Sequence, residues 1–262
     1  MNEQGFSILG SGWTVTILTE SEEDRVMLDR FLLPWLPRAV PDECSGGEVF
    51  RVMWVGDACE LHGADGILAG SPTIEGIVPP LQGFIDTVVV GRLTGMAAVH
   101  AGAVAYDGAA ILFPGASHSG KSTLVAELLH RGFIYFSDEY ALIDSEGLVH
   151  PYPRALMLRE GRPDSRPVLA SETGGTEGTE PVPAVLILAL EYAPGAVWDV
   201  QPVPQSEMLL KLLKSTPHTL KATQDLLPRL LRASGRAACY AGVRGEAADT
   251  ASRLLELLAG LR

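Results

Sequence analysis

Residues 115–122 read Gly-Ala-Ser-His-Ser-Gly-Lys-Ser, a fit to the pattern G-x4-G-K-[ST] without adjustment. The chemistry of such a stretch follows from geometry. Gly115 and Gly120 let the backbone fold so that several N–H groups of Ala116, Ser117, His118 and Ser119 converge on one cluster of anionic oxygens, and a helix beginning at the lysine adds its positive end. Lys121 would bring a cation to the β- and γ-phosphates of a nucleoside triphosphate, and the hydroxyl of Ser122, next to Thr123, is a Mg²⁺ ligand. A chain of this length matches the pattern by chance roughly 1% of the time on average composition. Chance matches rarely fall between a strand and an amphipathic helix, as this one does. The plain alternative is a Gly/Ser turn with an exposed lysine. His118 is the unusual residue, since a small side chain is common there, but histidine tolerates left-handed φ better than most non-glycines. ATP with Mg²⁺ is the expected ligand.

Two further features could act on bound phosphate. Asp138-Glu139 directly follows the apolar run FIYFS. At the C-terminal end of a strand beside a phosphate loop, one carboxylate can hold Mg²⁺, directly or through water, while another accepts the proton of an attacking hydroxyl. A solvated pair at a strand-to-turn junction is the competing reading. His100 lies in an apolar stretch, AVHAGAV, where a lone histidine is more often a hydrogen-bonded core residue than a catalytic one.

The elements that must position these groups are readable from periodicity. Residues 98–106 and 109–113 read as a hairpin around Asp107-Gly108. The loop follows, then a helix from Ser122 to Arg131 stopped by Gly132, with an apolar face from Leu124/Leu128 and Val125/Leu129. Residues 133–137 suit a strand covered on both faces. Later strands are expected at 183–192 and 197–202, and helices near 204–214, 219–232 and 246–260. Before residue 96, strands at 13–19 and 48–54 flank a helix capped by Ser21 and running to about Trp35. Pro37 and Pro41 mark a loop, and a second helix should run from Leu81 to Met96. Nothing in this part suggests chemistry of its own, so the division expected is an N-terminal α+β extension, 1–95, on a core, 96–262. Ala170 to Pro183, rich in Gly, Thr, Ser and Glu, reads as a mobile loop that would suit a cover over an acceptor.

Composition bounds the rest. The chain has 262 residues, 47% hydrophobic and 20% charged, enough to bury a sizeable core. A net charge of −12 argues against nucleic acid as a partner. The three cysteines, Cys44, Cys59 and Cys239, form no CxxC pair, which argues against a zinc site or disulfide framework and for a reducing, cytoplasmic setting. No apolar stretch approaches the ~20 residues of a membrane span, so no membrane partner is expected.

The block from His100 to Arg159 resembles the C-terminal catalytic domain of bacterial HPr kinase/phosphorylase, and more closely the HPr-kinase-related serine kinases. Four segments carry the resemblance: AVHAGAV around His100, GASHSGKST at 115–123, RGFIYFSDE at 131–139 and PYPRALMLR at 151–159. It implies an α/β, P-loop, phosphoenolpyruvate-carboxykinase-like mixed sheet with flanking helices. It further implies that Lys121 binds phosphate, Ser122 ligates Mg²⁺, and Glu139 is the general base for a serine hydroxyl. Asp138 would assist the metal or orient water, and His100 would line the site. Arg154 or Arg159 would steady the transferring phosphate. There are departures. Glu139 stands where the family has Asp. The family signature LEIRG reads LMLRE here, so Met157 occupies the place of a metal-binding Glu, and Glu160 falls outside that register. These point away from phosphorolysis and from HPr as substrate. Kinases with this core also phosphorylate a serine on ribosomal precursor peptides in lasso-peptide pathways. The expectation is an ATP-dependent kinase acting on a serine of a protein or peptide, with a small-molecule kinase and a nucleotide-binding module without turnover as alternatives. Homo-oligomerisation is left open.

Overall fold

The computed structural model describes residues 4–10, 12–40, 47–116, 119–159, 165–217 and 225–261. Cys44, Pro41, Ser117, His118, Glu160 and the expected helix start at 219–224 lie outside these. The chain is a mixed α/β protein with two mixed sheets and flanking helices. It divides into two compact units, Met1–Leu93 with Arg154–Leu169, and Thr94–Pro153 with Ala170–Arg262. Segment 154–169 thus belongs with the N-terminal residues.

The first unit is built on a six-stranded sheet. Strands β1 (Gln4–Gly10) and β2 (Trp13–Thr19) form an antiparallel hairpin, and β3 (Arg38–Ala39) extends it beside β1. On the other side β2 runs parallel to β4 (Glu48–Val55), followed antiparallel by β5 (Ala58–Gly63) and β6 (Gly66–Ser71). Helix α1 (Glu22–Phe31) starts as its sequence predicts, with Ser21 Oγ accepting from the Asp24 amide at 3.1 Å and Glu22, Glu23 and Asp24 in the first turn. It stops before Trp35. Leu32 is extended and Leu33 adopts φ 46°, both fully buried, so packing of two leucines overrides continued helix. Helix α2 (Val78–Arg92) has proline in its first turn and ends short of Met96, with Gly95 at φ 76° beyond it. Its buried Asp86 pairs with the buried Arg154 guanidinium, and Gln82 Nε2 donates to Ala155 O at 3.3 Å. Strands β12 (Leu156–Leu158) and β13 (Arg166–Val168) pair with each other in the same unit.

The second unit holds a nine-stranded sheet. Its axis is β7 (Ala97–Tyr106), hairpinned to β8 (Ala109–Pro114) with Asp107 at φ 50° and Gly108 at φ 76°. Both turn residues are left-handed, as a two-residue turn of this kind requires. Along its other edge β7 pairs with β9 (Ile134–Ser137) and then β10 (Tyr140–Ile143). Strand β11 (Leu148–His150) links β10 to β15 (Val182–Tyr192). Strand β15 runs parallel to β8 and to β17 (Ala238–Arg244), and β16 (Asp199–Pro202) lies antiparallel outside β17.

The odd-numbered β7 residues Ala97 to Ala105 pack with Met208 and Leu212 of α4 (Gln205–Lys214) and Leu226, Leu230 and Ala233 of α5 (Leu226–Arg236). The even face receives α3 (Lys121–Leu129), which packs beside α6 (Ala247–Gly260). A Cβ on Gly102 would lie 3.1 Å from Val125 Cγ2 and 3.6 Å from Lys121 Cβ, so this glycine lets α3 approach the strand.

The expected mobile loop at 170–183 is corrected by the structure. Ala170–Thr173 form a 3₁₀ turn, and β14 (Thr176–Glu177) runs parallel to β9. Gly178 N donates to Tyr135 O at 2.8 Å, and a Cβ there would lie 2.4 Å from the Phe136 ring. Gly178 serves close approach to this sheet edge, Gly175 lies against Leu129 of α3 and Gly174 takes φ 73° in a turn, roles that composition alone cannot distinguish from disorder. Among the described residues, no helix is long and apolar enough to cross a membrane.

Candidate functional site

Strand register in the second unit brings three of the sequence-predicted groups together around His100. Tyr140 pairs with His100 across β10 and β7, and Ala101 N donates to Glu139 O at 3.0 Å, which sets Glu139 beside the histidine. From the β8 side, Gly115 N donates to His100 O at 3.3 Å and anchors the start of the loop. The strand break between β9 and β10 is held by Ser137, whose Oγ accepts from the amides of Glu139 (3.2 Å) and Tyr140 (3.1 Å). That turn leaves the Glu139 side chain half-buried at the strand ends.

The side chains converge accordingly. His100 Nε2 lies 2.8 Å from Glu139 Oε1 and 3.4 Å from Lys121 Nζ. One ring nitrogen cannot donate to the carboxylate and accept from the ammonium at once. The shorter, charge-assisted contact wins, so Nε2 carries its hydrogen toward Glu139. Lys121 Nζ instead donates to Gly115 O (3.1 Å) and Ala116 O (2.9 Å), spanning the mouth of the loop. Its side chain is buried. Burial pushes the ammonium below its ordinary value, and the carboxylates of Glu139 and Asp138 pull it back up. Burial outweighs the two carboxylates, so the cation is held at a cost.

The other sequence-predicted residues are less uniform. Asp138 is almost fully buried, and its Oδ1 accepts from Tyr135 OH at 3.0 Å. Ser122 is half-buried and Thr123 exposed on the first turn of α3. Gly120 caps that helix with φ 77°, and Ser119 N donates to Ala116 O at 3.4 Å. Ser117 and His118 lie outside the described residues. Arg154 belongs to the first unit, where Asp86 engages it, as do Met157 and the exposed Arg159.

Sequence reasoning missed Arg244. At the end of β17 it is buried, and its Nη2 donates to Ser119 O (3.2 Å) and Gly120 O (2.9 Å) while Nη1 reaches Gly245 O (3.1 Å). Its guanidinium carbon lies 4.9 Å from the ring centroid of Tyr192, whose hydroxyl donates to Glu246 Oε1 at 3.1 Å. By taking two carbonyls, Arg244 ties the end of β17 to the turn that leads into α3. An Arg-Gly step at a strand end is too common a signal to have singled it out. Tyr135, the partner of Asp138, was hidden in an apolar run.

Among the described residues, no group of three or more His, Cys, Asp or Glu side chains is arranged to hold a metal ion. Ser122 and Asp138 are hard oxygen donors, the type Mg²⁺ takes when phosphates complete its shell. Compared with known proteins, the chain matches no protein-family model and no curated protein.

Proposed function

We propose that the protein is an ATP-dependent serine kinase, transferring the γ-phosphate to a hydroxyl of a protein or peptide, with residues 115–122 as a P-loop in a phosphoenolpyruvate-carboxykinase-like core. The observation that carries this reading is the meeting of Glu139, from the strand end, and Lys121, from the loop, at His100. A carboxylate and a cation on one histidine give a proton acceptor next to a phosphate-binding group, the two needs of hydroxyl phosphorylation. Glu139 takes the hydroxyl proton, His100 holds its carboxylate in place, and Lys121 balances charge on the transferred phosphoryl group. Ser122 and Asp138 would hold Mg²⁺, which neutralises phosphate charge when bound. The resemblance of residues 100–159 to the HPr-kinase-related serine kinases supports the same assignment, and a ribosomal precursor peptide fits as acceptor class.

A nucleotide-binding module without turnover is favoured by one observation: Asp138, the expected metal ligand, is almost fully buried and already bonded to Tyr135. Incubation with γ-labelled ATP and Mg²⁺, with and without serine-containing peptides, decides between them. Label on a peptide serine is the expected result, and label on a metabolite makes it a small-molecule kinase. Binding with neither transfer nor hydrolysis overturns the kinase assignment.

A further inference from the structure

The loop-bearing strand β8 divides the second unit's sheet into two flanks. On one flank lie β7 and β9 with His100, Asp138 and Glu139; on the other lie β15 and β17. Strands β8, β15 and β17 are mutually parallel, and Tyr192 and Arg244 are register partners at the C-terminal ends of the last two. Ligands of α/β sheets lie at such ends. A nucleotide with its terminal phosphate at Lys121 and Glu139 would have room to extend its nucleoside along these ends toward the β15–β17 flank.

Tyr192 has the properties of a receiving surface there. It is 40% exposed, although it is a large aromatic side chain. The Arg244 guanidinium covers part of the ring, and the Glu246 carboxylate fixes its hydroxyl, so the ring is held without being buried. Its Cβ lies 4.0 Å from where a side chain on Gly120 would begin, so it borders the loop itself. An oriented, solvent-facing aromatic ring offers stacking at little ordering cost.

We propose that the ring of Tyr192 is the platform on which the base of the nucleoside triphosphate stacks, with Arg244 and Glu246 fixing its orientation. This rests on the nucleotide-binding reading of the loop. Stacking acts on the base alone, so the test compares ATP with inorganic tripolyphosphate, each with Mg²⁺, by calorimetry on the full chain. Tyr192→Ala is expected to weaken ATP roughly 5- to 150-fold, the span of base–aromatic stacking, and to leave tripolyphosphate affinity unchanged. Tyr192→Phe should regain most of the lost ATP affinity, because it keeps the ring. Equal losses for both ligands would mean that Tyr192 only steadies the loop through Arg244, and the proposal falls. It also falls if Tyr192→Ala binds ATP as the parent does, in which case the phosphate-loop reading survives. If the parent chain binds neither ligand, both readings fall together.

Discussion

Lys121 carries opposite consequences for folding and for binding. Burial lowers its value from the ordinary 10.5, so below the lowered value the folded chain holds a charge at a cost. Between the lowered value and 10.5 the unfolded chain binds more protons, and this group's contribution to stability rises with pH. Phosphate binding favours the charged form, so ATP affinity should fall as pH rises through the lowered value. Titrating affinity and urea stability in parallel checks the opposed slopes, and Lys121→Ala should flatten both. That variant should also bind ATP about 10- to 100-fold more weakly, as expected for losing a charged hydrogen-bond donor. Unchanged affinity would exclude the loop as the phosphate site. Glu139→Gln keeps an acceptor for His100 Nε2–H but no base. It should bind ATP normally while phosphoryl transfer drops by about 10²–10⁴-fold; near-parent single-turnover rates would rule out Glu139 as base.

At the scale of elements, β14 makes the clearest prediction. Gly178 N donates to Tyr135 O at the β9 edge and Gly175 N to Ala170 O, so hydrogen exchange at these two amides should be slow relative to a free loop. Gly178→Val, driven into the Phe136 ring, should cost about 1–3 kcal/mol in denaturant unfolding; a neutral substitution would contradict the close packing seen here. The same element shows where sequence reading reaches its limit. The hairpin 97–114 and the start of α1 were legible because their causes are local: an Asp-Gly turn, and a serine cap before three acids. The end of α1 was not, because Leu32 and Leu33 leave the helix to fill a core whose other walls come from elsewhere. Pairing of Glu177 with Tyr135 and the hold of Arg244 on Ser119 and Gly120 are contacts between remote segments, which periodicity and composition cannot register. Of the site, the loop, the acidic pair and the histidine could be nominated by type and order. That Glu139 and Lys121 meet at His100 depends on strand register, which no motif states.

Across the whole molecule, the chain leaves its first compact unit at Leu93 and returns to it from Arg154 to Leu169. The return supplies Arg154 to the buried Asp86. A fragment of residues 1–93 would keep that carboxylate without its guanidinium, and it should lose about 3–5 kcal/mol relative to the same unit in the intact chain. Urea unfolding followed at Trp13, Trp35 and Trp54 compares the two, and coincident midpoints would show that the return segment contributes nothing. The hold of Arg244 on the loop has a consequence in time. Its partners Ser119 and Gly120 precede it by 125 and 124 residues. At about 5–20 residues per second of translation, the loop leaves the ribosome roughly 6–25 s before the arginine that sets it. A nascent chain stalled between the two should carry all of residues 115–122 and still lack the hold of Arg244 on Ser119 and Gly120, so the setting of this turn is timed by the synthesis of β17.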